Sequence, residues 1–320
     1  MVIKQLETVN CLVCGSDKYQ LKFNAPDRFH LNAGNKYRIV TCSHCGFVYL
    51  NPRPKLESVA EFYQSDNYQP FLSTQTTFNL WDKLYYWTRT YSVRHKRRKI
   101  EQLKSRGKIL DIGCGTGEFL HEMQINGWQV VGIEKERQAA EFAQRAYGLK
   151  VFTKELSKIN YLKKSFDVIT LWHVLEHLHD PVNILKIVKE LLKDDGMILI
   201  AVPNIASFDA WFYRNNWVAL DAPRHLYHFM PATVKKISQA AGLEIFKSQQ
   251  MTLDAFYNCL MSERLILAQK PHKKIILPVY LLRAVAMAFI SLLKSSQLRT
   301  EHNKLGSAVL FYIHKKRELI

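Results

Sequence analysis

Short apolar runs broken by prolines open the chain, and longer mixed ones follow. KYRIVTC, residues 36–42, and FVYL, residues 47–50, read as strands of one hairpin, which NPRP at 51–54 ends because two prolines cannot continue a ladder. Residues 55–90 carry aromatics (Phe62, Tyr63, Tyr68, Phe71, Phe78, Trp81, Tyr85, Tyr86, Trp87), which pack on the next unit by default or close over a ligand. RHKRRK at 94–99 runs into IEQL, where Ile100 and Leu103 give a helix its apolar side and the basic run its solvated face or an anionic contact. KILDIGCGTGEFL, residues 108–120, is an apolar strand ending in Asp111, then three glycines at alternate positions, then a helix start. WQVVGIE, residues 128–134, is a second strand closing on an acid. Near the C-terminus, IILPVYLLRAVAMAFISLL at 275–293 is almost entirely apolar between Lys273, Lys274 and Lys294.

At 320 residues the chain holds one large domain or two smaller ones. Apolar types at 48% and charged types at 23% exclude a wholly disordered chain. Charge changes the picture more: 45 Lys and Arg against 28 Asp and Glu leave +17, which favours phospholipid headgroups, nucleic acid or phosphorylated substrates. MVIKQLETVN has no basic flank leading into an apolar run, so the chain is expected to stay in the reducing cytoplasm. There its six cysteines point to metal or burial, not to disulfides.

Four of the cysteines form two CxxCG knuckles, Cys11/Cys14 before Gly15 and Cys42/Cys45 before Gly46, with Cys14 and Cys42 28 positions apart. Each knuckle turns both thiolates to one side, and two complete the tetrahedron that zinc accepts. Four sulfurs leave no open position, so the expected ion is a structural Zn2+ and residues 1–54 a small zinc-ribbon domain. His44, inside the second knuckle, stays outside the ligand set, and Cys114 and Cys259 are expected to be ordinary buried residues.

Gly113, Gly115 and Gly117 permit positive backbone angles and close approach of a ligand, and the helix that follows offers free N–H donors. Glu134 stands 21 positions after Gly113, where a doubly wound fold presents a carboxylate to two ribose hydroxyls. A dinucleotide is the rival ligand, but it brings a pyrophosphate to the helix start. The acid ahead of the loop suits a ligand with a cationic end instead.

GxGxG with Asp ahead of it resembles the class I S-adenosylmethionine-dependent methyltransferases. The likeness continues through KVFT (150–153), FDVITL (166–171) and GMILIAVPN (196–204) as strands three to five, and through WHVLEHLHDP (172–181) after strand four. DAPRHLYHF (221–229), PATVKKISQAAGLEIF (231–246) and GSAVLFYIHKK (306–316) extend it. These segments are similar to the subfamily that includes ubiquinone-pathway O-methyltransferases, where a two-knuckle N-terminus is a common extension. The resemblance covers residues 105–320 and implies an α/β fold, a Rossmann-like seven-stranded doubly wound sheet, joined to the ribbon by a helical aromatic and basic linker at 55–104. It implies S-adenosyl-L-methionine as cofactor, with Asp111, Gly113, Gly115 and Gly117 on its methionine side and Glu134 on its ribose. For the third-strand acid that commonly meets the adenine, only Glu155 is on offer, slightly late.

Methyl transfer from a sulfonium is an in-line displacement on an activated carbon, so alignment carries much of the rate and one base suffices. His173, Glu176 and His177 follow strand four at the carboxyl edge of the sheet, and on a helix His173 and His177 share a face. His177 and His225 are the expected catalytic residues, each with the alternative of bracing its own loop. Arg224 and His228 are the expected substrate-binding residues, Arg224 for phosphate or carboxylate unless Asp221 claims it. Trp172, Trp211, Tyr213 and Trp217 line an acceptor pocket or the core. The acceptor is expected to be a small-molecule, lipid-linked or saccharide compound methylated on oxygen or carbon. Methylation of ribosomal or transfer RNA is the rival function, because some ribosomal RNA guanine methyltransferases also carry a zinc ribbon. Enzymes acting on exocyclic base nitrogens usually place Asn/Asp-Pro-Pro-aromatic where this chain has LWHVLEHL, which speaks against nucleic acid as partner.

Between strands six and seven lie about fifty residues, far more than a hairpin requires. A spanning helix needs about 20 apolar residues, and a central Arg283 costs about 2.5–3.5 kcal/mol. Both ends must also return to one sheet, so spanning is excluded. An apolar helical insertion at about 255–300 is then an interfacial helix, a homodimer contact or a lid. The basic charge favours the first, a chain peripheral to the inner face of the cytoplasmic membrane through 275–293.

Overall fold

The computed structural model describes residues 5–31, 34–63, 80–159, 163–269, 277–297 and 306–316. Of the linker aromatics, Phe62 and Tyr63 fall inside that set, while Tyr68, Phe71 and Phe78 lie outside the described residues, as do Lys273 and Lys274.

The N-terminal part holds β1 (Leu6–Glu7), β2 (Tyr19–Pro26), β3 (Lys36–Cys42), β4 (Val48–Leu50) and β5 (Arg53–Pro54). β2, β3 and β4 form an antiparallel meander, and β1 pairs with β5. Both knuckle glycines have positive φ, 74° at Gly15 and 75° at Gly46, and their N–H groups donate to Cys11 O and Cys42 O. That left-handed turn is open to glycine at no steric cost.

Next come α1 (Leu80–Glu101), β6 (Lys108–Ile112), α2 (Glu118–Ile125), β7 (Gln129–Ile133), α3 (Arg137–Tyr147), β8 (Val151–Phe152) and β9 (Phe166–Trp172). α4 (Pro181–Leu191), β10 (Leu192–Pro203), α5 (Phe208–Tyr213), β11 (Tyr227–His228), α6 (Pro231–Ala240) and β12 (Leu243–Gln250) follow. The chain then runs through α7 (Thr252–Ala268) and α8 (Leu277–Gln297) to β13 (Ala308–Lys315). Seven of the strands form one sheet in the order β12-β13-β10-β9-β6-β7-β8, parallel from β8 to β10, with β13 antiparallel to both neighbours. This is the Rossmann-like doubly wound sheet expected from the motifs.

Burial shows why the strand sequences are solid apolar runs. Leu110, Ile169 and Ile198 join one buried cluster and their chain neighbours Ile109, Val168 and Leu199 the other, so successive residues point to opposite faces and both faces are covered. The first cluster continues into the N-terminal meander through Ile39, Val40, Phe47 and Tyr49.

The meander is closed by a strand from the other part of the chain. β11 pairs antiparallel with β4, Tyr227 opposite Tyr49 and His228 opposite Val48. Beside this joint Arg224 has no exposed surface. Its guanidinium donates to Asp221 Oδ1 at 2.8 Å, to Asp27 Oδ1 at 3.0 Å and to Phe62 O at 3.1 Å, and lies 4.3 Å from the Phe29 ring centroid. Arg28 adds a second cation on Asp221 at 2.8 Å. Burial alone would raise the Asp221 carboxyl, but Arg224, Arg28 and His225 hold it far below the usual range. Arg224, expected to bind substrate, is therefore a brace between the meander and the large sheet, because its donors are committed to protein acceptors.

The insertion between β12 and β13 is an α7–α8 pair, with α8 packed on α7 and α5. Buried Asp209 of α5 accepts from Trp217 Nε1 and from Ser291 Oγ of α8, both at 2.8 Å. Buried Glu263 of α7 accepts from Tyr213 Oη at 2.8 Å and pairs with Arg283 of α8. The central arginine that spoke against spanning thus has a carboxylate partner. No helix among the described residues is long and apolar enough to cross a membrane.

Arg224→Met leaves Asp27 and Asp221 buried without their cation and is expected to cost about 3–5 kcal/mol in urea unfolding. The contribution of Asp221 is full above its unfolded pKa of about 3.9 and is lost as pH falls below it. The stability gap between parent and Asp221→Asn should therefore narrow as pH drops through about 4. A gap that widens would refute the pairing.

Candidate functional site

The carboxyl ends of β6, β7 and β9 meet where the strand order reverses, the place where open sheets of this kind bind ligands. Asp111, near the end of β6, is buried, and Thr170 Oγ1 of β9 donates to its Oδ1 at 2.6 Å. Burial pushes its carboxyl up to about 7 against the pull of Thr170 and Lys96. In the loop that follows, Gly113, Gly115 and Gly117 all have positive φ, and the N–H groups of Gly113 and Cys114 donate to Ile133 O. Glu134 closes the turn: its Oε2 accepts from Gly115 N at 2.8 Å and its Oε1 from Glu136 N at 2.9 Å. Burial raises this carboxyl while the backbone donors pull it down. Each oxygen retains acceptor capacity for a further donor such as a hydroxyl.

The three glycines have different reasons to be glycine. A Cβ on Gly113 would stand 2.4 Å from Val174 Cγ2, and one on Gly117 2.6 Å from Leu149 Cδ1 and 2.8 Å from Ala143 Cβ. Gly115 faces open space. Gly113 and Gly117 let other segments close on the loop, and only Gly115 leaves room beside Glu134.

α1 packs on α2 and brings side chains to this loop. Arg89 donates to Thr116 Oγ1 at 3.2 Å and pairs with Glu118 at 2.7 Å. Lys96 Nζ lies 4.5 Å from the Trp172 ring centroid. Burial lowers its pKa, opposed by Asp254, Asp111 and Glu118. Arg97 pairs with Glu101 and Glu122, and Lys99 is buried. The run 94–99 is thus no uniform solvated face: Arg94 and Arg98 are exposed, while Lys96, Arg97 and Lys99 turn inward toward acids and aromatics.

The segment after β9 departs from the helix expected there. His173 has φ 56° and a single tight turn spans Leu175–His177, so His173 and His177 share no helical face. His173 Nε2 meets Asp254 Oδ1 of α7 at 2.9 Å, and its Nδ1 lies 3.7 Å from Glu176 Oε1. Burial opposes protonation of His173, but Asp254 and Glu176 lift its pKa to about 9. Glu176 is 1% exposed, and neither carboxylate oxygen has a hydrogen-bond partner among the described residues.

His177 and His225 come together edge to face, ring centroids 4.5 Å apart. Nδ1 of His177 is 3.1 Å from Arg224 O and 2.8 Å from Tyr63 Oη, and Nδ1 of His225 donates to Ala219 O at 2.8 Å. Glu176, His177 and His225 bring donor atoms within 4.8 Å of one another. Burial and the neighbouring His177 push His225 down to about 4, so it is neutral at physiological pH and a weak proton acceptor. His228, expected at the substrate, is buried in β11 and pushed down by burial to about 3, with Nε2 lacking a hydrogen-bond partner among the described residues. Its place in the meander's sheet keeps it from solvent.

Trp217 and Tyr213 belong to the core under α7 and α8, Trp172 lines the loop side, and Trp211 is 63% exposed. Glu155 stays at the surface, paired with Lys135 and Lys158. Cys114 and Cys259 are buried, as expected. Lys96 and Asp254 had no motif of their own; the basic run hid the first, and the second reaches the site only through the fold of α7.

In the meander, Cys11 Sγ lies 3.5 Å from Cys45 Sγ and Cys14 Sγ 3.6 Å from Cys42 Sγ, with all four sulfurs within 4.8 Å of one another. Zn–S bonds of about 2.3 Å at tetrahedral angles put sulfurs roughly 3.8 Å apart, so the cluster is near the size such an ion needs. His44 is exposed.

A sheet of this order, with an acid-flanked glycine loop at its reversal point, defines an α/β protein of the Rossmann-like methyltransferase class. The family described as "Methyltransferase domain" matches residues 86–248, half of the chain, and the chain belongs to it. Ubiquinone biosynthesis O-methyltransferase of Histophilus somni is 32% identical over 114 residues, 32% of this chain and 48% of that protein. The protein of the same name from Idiomarina loihiensis is 27% identical over 171 residues, 49% of this chain and 70% of that one. The chain spans about half the length of the first of these curated relatives. Among solved structures, a SAM dependent methyltransferase from Archaeoglobus fulgidus aligns with TM-score 0.45 at 19% identity, covering 71% of this chain and 94% of that one.

The glycines offer a separation of roles. Gly117→Ala should cost about 1–3 kcal/mol in thermal or urea unfolding, because its Cβ meets Ala143 and Leu149. Gly115→Ala should cost less stability and weaken cofactor binding in calorimetry, because its methyl enters the open space. Equal effects on stability and binding in both variants would remove the distinction.

Proposed function

We propose that the chain transfers the methyl group of S-adenosyl-L-methionine to an oxygen or carbon of a small-molecule, lipid-linked or saccharide-linked acceptor. One observation carries this reading: a glycine loop held against Glu134, with open space at Gly115 and the buried carboxyl of Asp111 behind it. These residues fit the cofactor. Glu134 has acceptor capacity for two ribose hydroxyls, and Asp111 suits an ammonium, since the Lys96 cation already feels its charge. Bound there, the cofactor supplies a methyl already activated on a sulfonium. Asp111, Gly113 and Gly115 hold its amino-acid end, Glu134 its ribose, and Trp172 and Lys96 cover the loop side. The acceptor lies beyond the end of β9, beside Glu176, His177 and His225, where its hydroxyl loses a proton. The relatives' place in ubiquinone biosynthesis favours a lipid-linked acceptor. The four-cysteine cluster is read as a structural Zn2+ site that holds the meander together.

The exposed side of α8 extends the same reading. Val279, Leu282, Val285, Phe289 and Leu293 are exposed along it, and α5 adds Trp211 and Phe212. Ala284, Ala288 and Ser291 face inward. With Arg264 and Lys294 exposed nearby and a chain charge of +17, the fitting occupant is an anionic bilayer surface, with α8 lying in the interface.

Calorimetry with S-adenosyl-L-methionine tests the first reading: binding by the parent, weakened in Glu134→Ala by about 1.5–3 kcal/mol per lost hydrogen bond, supports it. His177→Ala should lower methyl transfer by about 10²- to 10⁴-fold with cofactor affinity nearly unchanged. A parent that binds no cofactor overturns the proposal. For the surface, co-sedimentation with phosphatidylglycerol vesicles should fall in Leu282→Ser/Phe289→Ser, and equal partitioning of variant and parent would reject the bilayer as occupant.

A further inference from the structure

Three groups that accept hydrogen bonds meet at the end of β9. The first is the Glu176 carboxylate, 1% exposed and without a hydrogen-bond partner on either oxygen among the described residues. The other two are imidazoles whose protons are already assigned by carbonyls. Nδ1 of His177 stands 3.1 Å from Arg224 O and 2.8 Å from Tyr63 Oη, and a proton on Nδ1 serves both as acceptors, while Ala219 O takes the proton of His225 Nδ1. In that tautomer each ring keeps a lone pair on Nε2, that of His225 with Asp221 Oδ2 3.8 Å away, and the three residues bring donor atoms within 4.8 Å of one another.

A buried carboxylate without donors costs several kcal/mol unless a cation compensates it. His173 Nδ1, at 3.7 Å, is too far to hydrogen-bond and is turned to Asp254 through its other nitrogen. Arg224, the nearest strong cation in the loop, is spent on Asp27 and Asp221. Glu176 and Asp254 thus face a single ring, that of His173, so two carboxylates share at most one positive charge.

Histidines that donate their second nitrogen to backbone carbonyls are the pattern found around bound metals, where the carbonyl fixes the tautomer and orients the ring. Two imidazoles and one carboxylate leave positions open, which suits a divalent first-row ion that also takes an oxygen ligand from a substrate. We propose that Glu176, His177 and His225 form a second metal site, distinct from the cysteine cluster, that takes a divalent ion of the Mn2+, Fe2+, Co2+ or Zn2+ group.

The use of that ion rests on the methyl-transfer reading: it holds the acceptor oxygen and favours release of its proton to water, so that neither histidine acts as a free base. The acceptor class narrows to compounds with a hydroxyl, which an oxygen-binding ion selects over carbon. The binding of the ion rests on the side chains alone.

Mn2+ is the probe, because it is a hard ion that takes carboxylate oxygen and leaves the soft thiolate cluster to zinc. Full-length protein, checked by elemental analysis for the cysteine-bound zinc, is titrated with Mn2+ alone and followed by electron paramagnetic resonance. One Mn2+ per chain is expected. Glu176→Gln and His225→Asn should each weaken it by more than the roughly 10- to 100-fold that outer-shell changes cost. Zinc content and cofactor binding should stay at parental levels, which shows that the variants fold. Mn2+ binding equal in parent and both variants, or none in the parent with Co2+ and added Zn2+ also failing to exceed one metal per chain, overturns the site. Loss of cofactor binding in the parent with Mn2+ binding intact would defeat the methyltransferase reading and leave the metal site standing.

Discussion

A guanidinium with no exposed surface must find its partners inside the protein, and Arg224 draws them from both parts of the chain: Asp27 from the meander, Asp221 from its own loop, and Phe62 O from the segment that leaves the meander. Such a group costs several kcal/mol if any partner is removed, so it forces the three segments into one arrangement. The β11–β4 pairing runs beside it and adds backbone hydrogen bonds between the same two parts. His225 is the next residue, and its position beside His177 follows from the brace. The cysteine meander therefore does more than append a pair of knuckles to an α/β sheet, because it supplies the anion that anchors the loop over the sheet's carboxyl edge.

That edge is rich in buried carboxyl groups. Asp111, Glu134 and Glu176 all lie there with little exposure, and the protein answers with few cations: Lys96 near Asp111 and His173 between Asp254 and Glu176. An edge with this balance attracts positively charged groups. The proposed cofactor and the proposed divalent ion both carry the positive charge that this balance calls for. Val174 packs against Gly113, so the glycine loop and the segment after β9 are in contact.

The α7–α8 insertion links this edge to a distant surface. Its first turn supplies Asp254 to His173, while its second helix buries small residues and exposes large apolar ones. Asp209 and Glu263, both buried, hold the pair to α5 through hydrogen bonds and one ion pair. A helix pair fastened by buried polar groups keeps a fixed orientation, so the exposed stripe is a property of the fold and not of loose packing.

Much of this was determined by local sequence. The two CxxCG knuckles, the strand–glycine–helix unit and Glu134 at the end of the second strand depend on spacing and backbone conformation within a few residues, and they stand in the fold where the motifs placed them. The strand runs were legible for the same reason, since burial on both faces demands continuous apolar residues. The roles of Arg224, His228, Lys96 and Asp254 were decided by tertiary structure. Arg224 looked like a substrate ligand because Asp27 lies far away in sequence, and the basic run looked solvated because its acids, Glu122 and Asp111, come from other elements. A charged side chain takes its role from the opposite charge it meets, and that partner is brought to it by the fold.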